Sequence, residues 1–355
     1  MKQEPIISPP GIYIEKKENP TIKDVANVAG VSPATVGRMT GEYGYVGPET
    51  REKITAAIQQ IGFKPNAIAR SLKSKKTKTI GYLLPNITNL FYARITKGLQ
   101  EVANAHGYNV ILCNTDANAK LTSNLGRMLL ENRVDGIVLS LPADASVANI
   151  VEDFKAKHIP IVVCHGASSI LHVDRVMCDE VKGGFLAAKY LIDLGHRKMA
   201  IITVKNSTTS SLRLDGCRQA ITKSDNDIVL DVIQGVNFSE NDGYNGTKLL
   251  LLRDEKPTAI IASNDLMALG VLDAAYEAGM DVPNDISIIG FDNTFSLFTR
   301  PRMTTVSLPM HQAGQMAAQL LLERIEGRFK GQPRKMVLPE ELVARGSTSF
   351  RKMSQ

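Results

Sequence analysis

Seven side chains stand where apolar runs of this chain end. Phe91 and Tyr92 follow "TIGYLL", His165 follows "IPIVVC", Arg213 opens the helical stretch after "KMAIITV", Phe238 follows "DIVLDVI", Asn264 follows "TAIIAS" and Asp292 follows "ISIIGF". Arginine and aspartate each bond two adjacent hydroxyls, asparagine and histidine add donors or acceptors, and a ring covers an apolar C–H face, so the set suits a polyhydroxylated small molecule. A second set lies near the N-terminus, in "SPATVGR". There Arg38 can make two hydrogen bonds to a guanine edge, Ala34 or Thr35 can touch a thymine methyl, and Ser32 with the backbone beside Pro33 suits a phosphate.

The elements that must hold these groups follow from spacing. Thr21 can cap a helix whose Ile22, Val25, Ala26 and Ala29 share one face, and Gly30 supplies the left-handed turn that ends it. Ser32 is a second cap and Pro33 fits the first position of a helix reaching about Thr40, with Val36 inward. Two short helices joined at a glycine make a helix-turn-helix. A third helix begins at Pro48, turns Ile54, Ala57, Ile58 and Ile61 inward, and stops at Gly62 and Pro65. Asn66 then caps "AIARSLKS", which is too short to hold as an isolated helix in water and is expected to order on DNA; Leu72 is either a wedge for the minor groove or a stray apolar residue in a basic linker. Thr21, Tyr45, Asn66, Ala69 and Lys73 complete the residues expected to meet DNA.

From residue 79 onward, eight continuously apolar, β-branched runs alternate with amphipathic stretches such as 92 to 106 and 179 to 194. That alternation implies parallel sheets covered on both faces, whose ligands bind beyond the carboxyl ends of the strands. Charge is divided unevenly. Residues 1 to 80 hold 13 Lys and Arg against 7 Asp and Glu, while the remaining 275 residues hold 29 of each, so the net charge of +6 lies entirely in the first segment. A basic module for a polyanion, attached to a neutral body, is the implied arrangement.

Several classes are disfavoured. No run reaches the roughly 18 apolar residues of a membrane span, and "IISPPGIYI" is cut by prolines, so neither an anchor nor an export signal is expected and the cytoplasm is the expected compartment. Cys113, Cys164, Cys178 and Cys217 are scattered without metal spacing and read as reduced, buried small hydrophobes. With no G-x-G-x-x-G after a strand, no G-x-S-x-G and no clustered carboxylates, an α/β enzyme, a cofactor or a metal site is not expected.

"TIKDVANVAGVSPATVGR", "ETREKI", "GFKPNAIARSL" and "TIGYLLPNITNLFY" resemble the lactose-repressor (LacI/GalR) family of bacterial transcription regulators. The resemblance continues through "VDGIVL", "LGHRKMAII", "RLDGCRQA", "ASNDLMALGVLDAAYEAGMDVPNDISIIGFDNT" and "TTVSLP", about residues 21 to 350. It implies a flexible arm at 1–20, a headpiece at 21–65, a hinge helix and linker at 66–78, and a two-lobed body at 79–350 like the periplasmic sugar-binding proteins. The lobes implied are about 79–175 with 306–333, and 176–305 with 334–350. Each of the seven strand-end residues matches a ligand-contacting position of the family. Gly37 and Gly47 depart from its pattern, which has Ser at the first and often Ser or Thr at the second. Bland roles stay open beside these: Asn264 as a helix cap, His165 as a histidine at a lobe interface, Phe91 and Phe238 as core. The function implied is a homodimeric DNA-binding regulator, a repressor, that grips near-palindromic operator DNA and answers a sugar-like effector. A nucleobase effector and a stand-alone sugar-binding protein are the alternatives. No heptad repeat follows residue 340, so a tail-assembled tetramer is not expected.

Overall fold

The computed structural model describes residues 20–41, 44–63, 76–141, 145–166, 172–224 and 227–351. The chain divides into two compact units, residues 1–77 and 78–355.

In the first unit α1 (Ile22–Ala29), α2 (Pro33–Thr40) and α3 (Pro48–Ile61) start and stop at the expected residues. Thr21 makes a full capping box: its hydroxyl accepts from the Asp24 N–H at 3.4 Å, and the Asp24 carboxylate accepts the Thr21 N–H at 2.8 Å. Gly30, at φ 63°, lets the chain reverse, and Ser32 caps α2 by accepting the Thr35 N–H at 3.1 Å. Val25, Ala26, Val36, Val46, Ile54, Ala57, Ile61 and Phe63 form the core, with Ile58 and Val31 packed against it. Ile22, expected inward, is 37% exposed, being on the first turn where the helix has not yet reached the core. Gly47 caps α3 without any side-chain hydrogen bond.

The second unit contains two sheets of six strands. The first has the order β11-β5-β4-β3-β1-β2, from β1 (Thr79–Leu84), β2 (Asn109–Asn114), β3 (Gly136–Leu139), β4 (Ile161–Cys164), β5 (Asp174–Cys178) and β11 (Lys335–Leu338). All its pairings are parallel. The second has the order β12-β10-β9-β8-β6-β7, from β6 (Lys198–Val204), β7 (Val229–Gly235), β8 (Ala259–Ala262), β9 (Ser287–Phe291), β10 (Thr304–Ser307) and β12 (Glu341–Val343), with β12 alone antiparallel. The connecting helices are α4 (Leu90–Ala105), α5 (Ala119–Glu131), α6 (Ala145–Ala156), α7 (Glu180–Asp193), α8 (Thr208–Thr222), α9 (Glu240–Leu251), α10 (Asp265–Glu277) and α11 (Met310–Ile325).

The chain therefore changes sheet after Cys178, after Ser307 and after Leu338. The last crossing corrects the expected boundary at 334: Lys335–Leu338 pairs with β5 in the first sheet, in the register Lys335↔Arg175 to Leu338↔Cys178. The crossing after Ser307 puts 306–307 in the second sheet, because Val306 pairs with β9 and Ser307 with β12, and the crossing after Cys178 puts 176–178 in the first, because they pair with β11.

Two helices bear on the site directly. A Cβ on Gly184 of α7 would stand 1.9 Å from the Arg213 carbonyl oxygen, and one on Gly216 of α8 would stand 1.9 Å from that of Val181. The glycines thus let the two backbones touch, which brings the start of α7 beside Arg213.

Candidate functional site

The described part of the first unit presents one surface at α2. Ser32, Pro33, Ala34 and Arg38 are exposed, Tyr45 is 84% exposed, and Thr21 is exposed at the head of α1. Val36 faces the core between them, so the apolar side of α2 holds the helix while the other side stays open to a groove. Thr35 is half-buried, and its hydroxyl shares a 2.8 Å hydrogen bond with that of Ser32, which leaves its methyl as the group for an apolar contact. Asn66, Ala69, Leu72 and Lys73 lie outside the described residues.

In the second unit Arg213 is the organising group. It is 2% exposed; its Nε donates to Glu180 Oε2 at 2.7 Å, its Nη1 donates to the Ser263 carbonyl, and its guanidinium lies 4.2 Å from the centre of the Phe291 ring. Nη2 is 3.9 Å from Asp292 Oδ1, an ion pair without a hydrogen bond. His165, at the end of β4, places Nδ1 3.5 Å from Glu180 Oε1 and meets Phe91 edge-to-face with ring centres 4.6 Å apart. Phe91 in turn meets Tyr92 at 5.0 Å. Residues from both sheets thus meet through Glu180, which stands two residues past β5.

Burial sets the protonation of this group. It raises the Asp292 carboxyl to about 7 against the pull of Arg213, and it raises Glu340 to about 8, with Glu180 adding to the rise. Burial lowers the His165 imidazole despite Glu180, so the ring is neutral near pH 7, and the Tyr92 phenol is pushed up by burial and by Asp292.

The turn that carries Asp292 is held from behind. Asp292 and Asn293 have φ of 96° and 54°, conformations unusual for residues with a side chain. Fully buried Asp265 supports them: it accepts the Thr294 N–H at 2.6 Å and the Ser296 N–H at 3.3 Å on one oxygen, and the Thr305 hydroxyl at 2.7 Å on the other. Arg345 adds a 2.7 Å bond to Asn293 Oδ1.

Of the seven strand-end residues, the structure brings Phe91, Tyr92, His165, Arg213 and Asp292 together. Asn264 is 3% exposed and its Oδ1 caps α10 by accepting the Met267 N–H at 2.8 Å. Phe238 is partly buried against the core of the second sheet. Sequence reasoning missed Glu180, Phe291, Glu340 and the Ser263 carbonyl. The strand-end rule that found the others would have found Glu180 and Glu340, had β5 and β11 been recognised as strands.

Among the described residues no helix is long and apolar enough to cross a membrane. The four cysteines are buried and free; burial raises the Cys113 thiol to about 11 and the Cys164 and Cys217 thiols to about 12, which keeps them protonated.

A helix-turn-helix unit joined in one chain to a two-sheet receptor, whose strand ends gather a buried polar cluster, defines a ligand-responsive DNA-binding regulator. Residues 21–66 match the model of bacterial regulatory proteins of the lacI family, and residues 188–348 match that of the periplasmic binding protein-like domain. Catabolite control protein A of Priestia megaterium is 38% identical over 85% of this chain and 92% of its own length. The HTH-type transcriptional repressor PurR of Glaesserella parasuis is 37% identical over 92% of this chain and 98% of its own. The crystal structure of the lac repressor dimer bound to operator and the anti-inducer ONPF superposes with a TM-score of 0.82 at 27% identity, covering 94% of this chain and all of that one. The chain belongs to the lacI family of bacterial transcriptional regulators; it is not an enzyme.

Proposed function

We propose that this regulator is a cytoplasmic repressor whose homodimer grips operator DNA through the exposed face of α2, with Pro33, Ala34, Thr35 and Arg38 reading the major groove. Ser32, Thr21 and Tyr45 meet the backbone, and Asn66, Ala69, Leu72 and Lys73 act in the hinge segment. A polyhydroxylated small molecule, a sugar or sugar derivative, binds at the meeting of the two sheets, against Arg213, Asp292, His165, Phe91 and Tyr92, with Asn264 and Phe238 at its margin. The observation that carries this reading is the Arg213 cluster itself. Buried polar side chains from both sheets converge at strand ends, where bound hydroxyls couple the lobes and thereby the DNA-bound state.

A nucleobase is the less favoured effector. Phe91 is only 4% exposed and meets both Tyr92 and His165 by ring edges, which leaves little free face for stacking a planar base. Coupling between effector and DNA sites of this type is about 1–3 kcal/mol, a change of roughly 5- to 150-fold in operator affinity.

Electrophoretic mobility shift on the DNA upstream of the protein's own gene, with and without a panel of pentoses, hexoses, disaccharides and purines, tests the reading. Binding at low salt that one sugar alters is the expected result. No binding in any lane, or binding altered by purines alone, overturns it.

A further inference from the structure

The cluster around Arg213 holds more carboxyl groups than its one guanidinium pairs with. Glu180, Asp292 and Glu340 are 6%, 5% and 5% exposed, and the guanidinium of Arg213 is the cation set among them. Its hydrogen bonds go to one Glu180 oxygen and to the Ser263 carbonyl. Among the described residues nothing donates a hydrogen bond to Glu180 Oε1 or to either oxygen of Glu340. His165, at 3.5 Å from Glu180 Oε1, is kept neutral by burial and brings no charge.

The two glutamates follow neighbouring strands. β11 runs parallel to β5 with Leu338 opposite Cys178, and Glu340 and Glu180 lie two residues beyond those ends, close enough for the Glu180 charge to act on Glu340. The space for Glu340 is also built: a Cβ on Gly183 would fall 2.0 Å from Glu340 Oε2, so only a glycine there admits the carboxylate. Both acids lie on segments where the chain crosses between sheets, beside the Arg213 cluster.

Buried carboxylate oxygens without partners are unfavourable unless a donor, best a charged one, meets them. Among the described residues no group of three His, Cys, Asp or Glu is placed to hold a metal ion. An ammonium offers three N–H donors and a positive charge, matching three unpartnered oxygens and the surplus of acid. With its oxygens unpartnered Glu340 holds its proton up to about pH 8; an ammonium can take that proton's place, which a neutral hydroxyl cannot.

We propose that the effector carries a protonated amine among its hydroxyls, as an amino sugar does, with the ammonium held by Glu340 and Glu180 while Arg213 and Asp292 hold hydroxyls. This inference rests on the reading of the cleft as the effector site, and names the chemistry that site selects.

Thermal shift and titration calorimetry on the full chain, with matched pairs differing only in charge, test it: glucosamine, galactosamine and mannosamine against glucose, galactose and mannose, with N-acetylglucosamine as the neutralised amine. At least one amino sugar should raise the melting temperature and bind about tenfold or more tightly than its neutral partner. Glu340→Gln, which keeps the shape, should erase that preference. Neutral sugars that bind as well as their amines leave the cleft reading standing and overturn the amine. If no member of either set binds, the amine proposal falls, and the mobility-shift panel decides the cleft reading separately. Because the paired comparison is made in the natural sequence, it holds whether or not the variant folds.

Discussion

The DNA-facing unit and the receptor unit solve the placement of functional groups in opposite ways. The first keeps Ser32, Pro33, Ala34 and Arg38 outside, over a core of eight side chains that contains none of them. The second buries Arg213, Glu180 and Asp292 and makes them part of its own interior. A surface reader can be altered without touching stability, whereas the receptor's specificity and its folding draw on the same side chains.

The sharpest way to break that contrast is Arg213→Ala. It strands Glu180 and Asp292 without their cation, so urea unfolding of the body should show a loss of about 3–5 kcal/mol. A midpoint near that of the natural chain would mean the cluster is not structural. Arg38→Ala should do the converse. Operator affinity should fall by about 1–3 kcal/mol in a mobility-shift titration, with the unfolding transition unmoved. A shifted transition would show that Arg38 supports its own helix.

A third test uses protonation. In the folded chain Glu340 binds its proton up to about pH 8, against an ordinary value of 4.5, so the folded state holds more protons than the unfolded state between those limits. Stability contributed this way is present below the lower value and lost as pH rises through the upper one. Thermal melts of the natural chain should therefore lose ground to Glu340→Gln as pH rises from about 5 to 8; parallel curves would place Glu340 in contact with solvent. The smallest expected effect is Gly47→Ser. Its backbone is already extended, at φ −58° and ψ 152°, and no atom lies within 4 Å of an added Cβ. A hydroxyl cap should add a few tenths of a kcal/mol to headpiece stability.

What could be read from residues alone followed from how local the signal was. Thr21, Gly30, Ser32, Pro33 and Gly62 act within one turn of helix, and among the described residues the helix ends they mark fell where expected. The eight apolar runs were likewise visible as strands because a parallel strand covered on both faces has no polar side. β5 ("DRVMC") alternates polar and apolar residues, and β11 and β12 are short, largely unburied and flanked by charged residues and a proline ("RKMVLPEELVAR"), so their pairing depends on distant partners that spacing does not reveal. Missing them hid Glu180 and Glu340, which follow β5 and β11. Asp265 reads as a helix-start acid, and its grip on Thr294, Ser296 and Thr305 emerges only from tertiary structure.

Glu180 offers one further use. One of its oxygens is tied at 2.7 Å to Arg213 on a helix of the second sheet, and the other faces His165, which ends a strand of the first, across a looser 3.5 Å. When the halves of the receptor rotate, the tighter link should persist and the looser one should stretch or shorten. The His165 ring thus stands at the junction of the halves, and its nitrogen chemical shifts, followed by NMR during ligand titration, would report ligand contact and closure together at that one point.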